Sequence, residues 1–303
     1  MATETDAATR SGTGMSLSDR VDAWLDEDMS VRRAIAVYAV LGVFMSFLLV
    51  PVIYMVLVTF TGREFLYSSQ LIPALSDLTI ENYEQVLSRG AFQSYFVNSV
   101  VIASSTTALT LTVGTFAGYS LSRFDYPGHD SLLVAFLGTQ MLPYVLILIP
   151  FFLLMFTLNL INTHIGIVIA HSVIATPLAT WLLKGYFDDI PESLDEAAKM
   201  DGCSQLDILV RVILPLSIPG IAVAGFYTFT VSWNDFLLVS VLSQTSATRT
   251  LPLGLQLFQS QNQVAWHLVL TAAAVTMAPV ILLFALVQKW VVEGLGSGGM
   301  KGV

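Results

Sequence analysis

Charge is scarce in this chain. Of its 303 residues only 12% are Asp, Glu, Lys or Arg, while 55% are hydrophobic and the mean hydropathy is +0.73. A soluble globular domain carries about a quarter charged residues, so most of this chain is built for a lipid solvent. Basic residues are the scarcer sign: 13 Lys and Arg stand against 22 Asp and Glu, a formal net charge of -9. No basic stripe is available to meet phosphates, which excludes a nucleic-acid partner. A single cysteine, Cys203, excludes an intrachain disulfide and a cysteine metal cluster. The histidines, His129, His164, His171 and His267, are scattered over different segments, so no metal site is expected. G-x-x-x-x-G-K-[ST], H-E-x-x-H and G-x-S-x-G are all missing. The chain therefore has no P-loop to cradle ATP phosphates and no arrangement that argues for catalysis. A formal G-x-G-x-x-G at Gly294, Gly296 and Gly299 has no strand before it and no helix after it, and fails as a dinucleotide site.

What the chain does have is long apolar runs, at about 34–60, 96–121, 131–156, 163–183, 217–242 and 265–288. Each reaches about 20 residues or more, enough at about 1.5 Å per residue to cross a hydrocarbon core of about 30 Å. The expected fold is an all-α integral membrane protein with six transmembrane helices. The first run begins too late, and is too long, for a secretory signal. With the N-terminus inside, Arg10, Arg20, Arg32, Arg33, Arg123, Lys184, Lys199, Arg211, Lys289 and Lys301 fall on the cytoplasmic side. Only Arg63, Arg89 and Arg249 fall outside. The excess of basic residues inside places both termini in the cytoplasm. Residues 1–30 are then an acidic, flexible cytoplasmic tail. Residues 31–95 hold the first span and a long external loop, 96–290 a core, and 291–303 a glycine-rich cytoplasmic tail.

The longest polar interruption, residues 184–219, lies between the fourth and fifth runs, on the cytoplasmic side. Ser193-Leu-Asp-Glu196 fits a capping box and Ser204-Gln-Leu-Asp207 fits a second helix start. Gly202 between them suits a helix stop with positive φ. Leu194, Ala197 and Ala198 share one face of the first helix, and Leu206, Leu209, Val210 and Ile213 form a stripe on the second. By pattern alone this is a folded surface loop. Its spacing says more: Glu196-Ala-Ala198, three residues, Gly202, nine residues, Val212, then Leu214-Pro215. That series resembles the EAA loop of binding-protein-dependent ABC importer permeases, with valine at a position where isoleucine is commoner.

Polar residues inside the runs are costly and so are candidates for function or for fastening helices together. They are Gln140 beside Met141-Leu-Pro143, His171, and the cluster Ser232-Trp233-Asn234-Asp235-Phe236. An aspartate in an apolar run costs roughly 2.5–3.5 kcal/mol on insertion scales, so Asp235 is expected to face a cavity, a partner or an interface. Gln140, His171, Asn234 and Asp235 are the candidate pathway residues. Gly114-Thr-Phe-Ala-Gly118 is a G-x-x-x-G pattern for close helix packing. Prolines 51, 143, 150 and 177 mark helices able to bend.

Trp233-Asn-Asp-Phe236, Ser122-Arg-Phe124 with Gly128, Arg249-Thr-Leu-Pro-Leu-Gly254 and the ending Gly294-Leu to Lys301-Gly302 resemble the maltose or carbohydrate-uptake branch of these importers. The branch more often has glutamate where Asp235 stands. The resemblance runs from about Thr79 to Gly302. It implies a non-catalytic membrane subunit that forms half of a pathway for a polar solute, most often a sugar. It also implies a second related permease, two cytoplasmic ATPase subunits that use the ATP, and an external solute-binding protein. Glu196, Ala197, Ala198, Gly202, Leu214 and Pro215 would contact the ATPase, and Lys301 and Gly302 would reach it from the tail. No cofactor would bind this chain. A gradient-driven secondary transporter, with Asp235 as its carrier, remains the alternative.

Overall fold

The computed structural model describes residues 31–259 and 264–298. The expected N-terminal tail 1–30 and the tail residues Lys301 and Gly302 lie outside the described residues. Among the described residues the chain is helical apart from turns and two isolated antiparallel bridges, Thr61–Leu78 and Gln259–Val264. Two units separate, residues 1–55 with 298–303, and residues 56–297.

The first unit holds most of helix α1, Val31–Thr59, which contains Pro51. Its stretch Ile35–Thr59 is long and apolar enough to cross a membrane. The second unit begins at the end of α1, where Asn82 Nδ2 donates to the carbonyls of Thr59 and Thr61 at 2.9 and 2.8 Å. That side chain fastens helix α2, Glu81–Leu87, to the turn that leaves α1.

Two continuous helices form the middle of the second unit, α3 (Gly90–Arg123) and α6 (His164–Asp188). They pack along the glycines of the G-x-x-x-G pattern. A Cβ on Gly118 would lie 3.2 Å from the Lys184 amide nitrogen and 3.3 Å from the Thr180 carbonyl oxygen. The missing side chains thus let the two backbones approach. At the start of α6, Thr163 Oγ1 accepts the amide of Gly166 at 3.0 Å and caps the helix.

The third and fifth apolar runs, expected as single spans, are interrupted. The third is α4 (His129–Thr139) and α5 (Tyr144–Thr157), bent by 95° at residues 140–143. Pro143 stands as the cap of α5, where it cannot continue the ladder of α4. The fifth runs as α9 (Ile218–Asn234), breaks at Asp235 and Phe236, and resumes as the short α10 (Leu237–Leu242). Counted singly, four helices are long and apolar enough to span a membrane among the described residues, and up to six spans result if two bent pairs, 131–139 with 144–157 and 205–216 with 218–234 (bent by 81°), each count as one. The chain closes with α11 (Leu251–Gly254) and α12 (Trp266–Gly298). The last helix runs ten residues past the expected end at 288, through Gly294 and Gly296. Extending a formed helix costs far less than starting one.

Three buried clusters hold this unit. One gathers Phe92, Tyr95, Trp233, Leu251, Phe258 and Leu268. A second joins Ile102, Met155, Ile167, Leu238, Val239 and Leu242. The third, Tyr119, Leu183, Phe187, Ile208, Leu209 and Ile213, seats the 184–219 loop on the ends of α3 and α6.

Candidate functional site

The 184–219 loop folds as two helices, α7 (Glu192–Met200) and α8 (Gln205–Ile208), followed by a π-helical turn, Leu209–Ile213, and a single turn, Leu214–Leu216. Its expected start at Ser193 is corrected. Helix α7 already begins at Glu192, with Pro191 as cap and no side-chain cap bond. The proline's fixed φ sets the entry two residues early, leaving Ser193 inside the helix. The second cap forms as expected: Asp207 N donates to Ser204 Oγ at 3.2 Å, and Ser204 Oγ donates to Asp207 Oδ2 at 2.5 Å. The Ser204 hydroxyl and backbone amide, both donating to Oδ2, hold the Asp207 carboxyl below its usual range, with a smaller pull from Arg211.

Gly202 ends α7 with φ of +82°. The amide of Cys203 donates to Ala198 O and that of Gly202 to Lys199 O, both at 3.0 Å, which is the Schellman arrangement. A Cβ at Gly202 would meet nothing within 4 Å, so the demand for glycine there is one of backbone alone.

The expected stripe on the second helix is split. Ile208, Leu209 and Ile213 are buried, whereas Leu206 and Val210 are exposed. The π turn adds a residue to the turn and rotates the register, which 3.6-residue spacing does not anticipate. The result leaves Leu194, Glu196, Ala197 and Met200 on α7, Leu206 on α8 and Val210 in the π turn exposed over a buried seat. Met200 is 88% exposed, an uncovered apolar end on a polar loop. Ala198 and Leu214 are half-buried, and Pro215 is exposed at the start of its turn.

Three of the four candidate pathway residues come together at the breaks in the helices. Asp235, which ends α9, has one oxygen 2.5 Å from the donating Tyr144 hydroxyl at the start of α5. Its other oxygen accepts the Val239 amide of α10 at 3.1 Å and lies 3.4 Å from His171 Nε2 on α6. His171 Nδ1 is 2.8 Å from Ser232 Oγ, which reaches Thr106 on α3 at 3.5 Å. The His171 and Asp235 side chains are 1% and 9% exposed. Asp235 thus joins the two interrupted spans at their interruptions and ties both to the continuous α6. Asn234 is exposed and lines a cavity of about 300 Å³ together with Tyr144, His171, Ile174, Val231 and Asp235. Gln140 stands apart from this hub. It is exposed, donates to Ile174 O at 3.0 Å, and lines a neighbouring apolar cavity of about 680 Å³ with Phe136, Tyr144, Phe151 and Pro177. Tyr144 and Ile174 border both cavities.

Tyr144 escaped sequence reasoning because a tyrosine in an apolar run reads as core; its place directly after Pro143 was the available signal. Arg123 entered the sequence reading as one of the cytoplasmic basic residues and as part of a resemblance, yet it forms a buried ion pair with Asp195 beside Glu196.

Residues 110–296 match the family model described as "binding-protein-dependent transport system inner membrane component". The chain belongs to this family. The permease is 36% identical over 284 residues to the galactooligosaccharides transport system permease protein of Bacillus subtilis (strain 168), covering 91% of this chain and 99% of the relative. It is 34% identical over 224 residues to the sulfoquinovosyl glycerol transport system permease protein of Agrobacterium fabrum, covering 74% of this chain and 79% of the relative. To the trehalose/maltose transport system permease protein of Thermococcus litoralis it is 32% identical, covering 84% and 92%. A solved bacterial ABC transporter involved in alginate import shares the fold, with a TM-score of 0.74 and 23% identity over 92% of this chain and 99% of that one. The protein is therefore an ABC importer permease, a membrane subunit of a non-catalytic family. Membership of a binding-protein-dependent family displaces the gradient-driven alternative.

Proposed function

We propose that this permease forms half of a translocation pathway for a polar solute, a sugar or oligosaccharide, and is driven by cytoplasmic ATPases docked on the 184–219 loop. The relatives' names support the solute class: galactooligosaccharides, trehalose and maltose, and a sulfosugar glycoside. The observation that carries the coupling reading is the exposed face of α7 and α8 around the Gly202 turn, with Glu196 beside uncovered Leu194, Ala197 and Met200. Apolar side chains exposed on a firmly seated polar loop mark a protein interface. Glu196 supplies an ionic contact, Ala197 and Ala198 close approach, Gly202 the turn, and Leu214 and Pro215 the link into α9.

In this proposal six spans cross the cell membrane of a prokaryote with both termini in the cytoplasm, each interrupted pair counting as one span. The complete transporter adds a second, related permease, two ATPase copies that bind the ATP, and an external solute-binding protein. A crystal structure of a bacterial alginate ABC transporter in complex with a pentasaccharide-bound periplasmic protein has this fold at a TM-score of 0.63 over 89% of the chain, which supports that last partner. Asn234 and Gln140 face the pathway, while His171 and Asp235 hold the wall behind them. Lys301 and Gly302 add a tail contact to the ATPase.

Proteoliposomes carrying the permease with co-purified ATPase and binding protein test this reading. Uptake of labelled maltose, trehalose or galactooligosaccharide should require ATP on the ATPase side. Uptake that persists without ATP and follows a proton or sodium gradient refutes it.

A further inference from the structure

The cytoplasmic-side end of α3 grips both helices of the loop. Arg123 Nε donates to Asp195 Oδ2 on α7 at 2.8 Å, and its Nη2 donates to the carbonyl of Ile190, just before α7, at 2.9 Å. Both charged side chains are 6% exposed. One turn earlier on the same face of α3, the Tyr119 hydroxyl donates to Gln205 Oε1 on α8 at 3.1 Å. The two contacts therefore fall on either side of the Gly202 turn. At its other end α3 is pinned as firmly. Asn98 Nδ2 donates to the carbonyls of Ala247 and Arg249 at 3.0 and 2.9 Å, and Ser99 Oγ accepts the Leu251 amide at 2.8 Å. From Asn98 to Arg123 the helix runs without a break, roughly 40 Å at about 1.5 Å per residue. No proline interrupts it.

We propose that Arg123 is a positioning residue for coupling: it makes α7, and through Tyr119 also α8, one body with α3, so that displacement of the loop by an ATPase is delivered along α3. The inference rests on the coupling role given to the loop above. A buried ion pair suits such a joint. It is directional, and removing one partner strands a charge, whereas replacing both by apolar residues is often neutral for stability. Stability and coupling can therefore be separated. Lying between two sites is not in itself coupling, so the test must read a response.

The experiment uses the permease–ATPase complex in a Cys203→Ser background with Val173→Cys, a position lining the larger cavity. The rate of labelling by a hydrophilic maleimide is measured with and without a non-hydrolysable ATP analogue. Arg123→Leu alone should lower thermal stability and the nucleotide response together. Arg123→Leu with Asp195→Leu should regain stability and still retain ATPase on pull-down, because the Glu196 face is untouched. Its nucleotide response should nevertheless stay about 2- to 30-fold below that of the native pair. A response that returns along with stability in the double variant overturns the proposal and leaves the pair a fastener only. If the native pair gives no nucleotide response, the coupling reading of the loop and the positioning role fall together.

Discussion

Asp235 is the residue whose loss the structure allows to be graded. Its carboxylate accepts from Tyr144 and from the Val239 amide, and faces His171. Asp235→Ala removes all three contacts. Hydrogen bonds between membrane helices average about 0.6 kcal/mol and reach about 1.7 kcal/mol. The two hydrogen bonds give roughly 1–3 kcal/mol; the His171 contact, at 3.4 Å, is not a third. Asp235→Asn keeps one acceptor oxygen for Val239, and the Tyr144 hydroxyl can turn to accept from the new amide, so its cost should be only about 1 kcal/mol. Tyr144→Phe loses one bond and should also cost about 0.6–1.7 kcal/mol. Expressed as melting temperature for a chain of this size, the alanine variant should fall by roughly 4–8 °C and the asparagine variant by about half of that. The assay is thermal challenge of detergent-solubilised permease, read by fluorescence size-exclusion, with ATP-driven uptake measured in parallel. Tyr144→Phe added to Asp235→Ala should cost almost nothing further, since one bond cannot be lost twice. If Asp235→Asn is as damaging as Asp235→Ala, charge rather than acceptor geometry holds the hub and the reasoning fails. If both melt like the native chain, the hub does not fasten the breaks at all.

Other consequences are open to direct measurement. Gly202→Val must hold a β-branched residue at φ of +82°, at about 1–2 kcal/mol or more, and should weaken ATPase pull-down; unchanged retention would remove Gly202 as the hinge. Gly118→Val should destabilise by about 1–3 kcal/mol through overpacking against α6. Gly185→Ala, a helical position with nothing within 4 Å, should be neutral or gain up to about 1 kcal/mol; equal melting shifts for the two would contradict the packing argument. The Asp207 carboxyl is held low by the Ser204 bonds, so the cap favours the charged form. Its contribution is complete above the ordinary carboxyl range and is lost as pH falls through the lowered value. Amide-exchange protection at residues 204–208 should therefore differ between native and Asp207→Asn near pH 6, and the difference should vanish in strong acid.

Much of this was legible from residue types and spacing. Long apolar runs announce a helical membrane protein because lipid leaves the backbone no other partner. Glu196-Ala-Ala to Leu214-Pro215 announces the loop, and Gly202 takes the positive φ its place in a turn demands. Ser193 misled because a capping pattern is local, while the true start was set by Pro191. The stripe of Leu206, Leu209, Val210 and Ile213 misled because a π turn breaks 3.6-residue spacing and leaves no mark in composition. The breaks at 140–143 and 235–236 were hidden within hydrophobic runs that hydropathy alone reads as unbroken. The contacts that matter most, Tyr144 with Asp235 and Arg123 with Asp195, span 91 and 72 residues of chain. Nothing local encodes such pairs.

The seam between α3 and α6 carries a consequence for how this protein can vary. At Gly114 a Cβ would meet Leu183 Cδ1 and Thr180 Oγ1 at 3.4 and 3.5 Å, ordinary contact distances. An alanine fits there against the present partners, so that position has a second solution. At Gly118 the nearest obstacles are the Lys184 nitrogen and the Thr180 carbonyl oxygen, which every amino acid brings with it. No exchange on the facing helix creates room at that point. A contact made from two backbones can be lost by mutation, but it cannot be renegotiated.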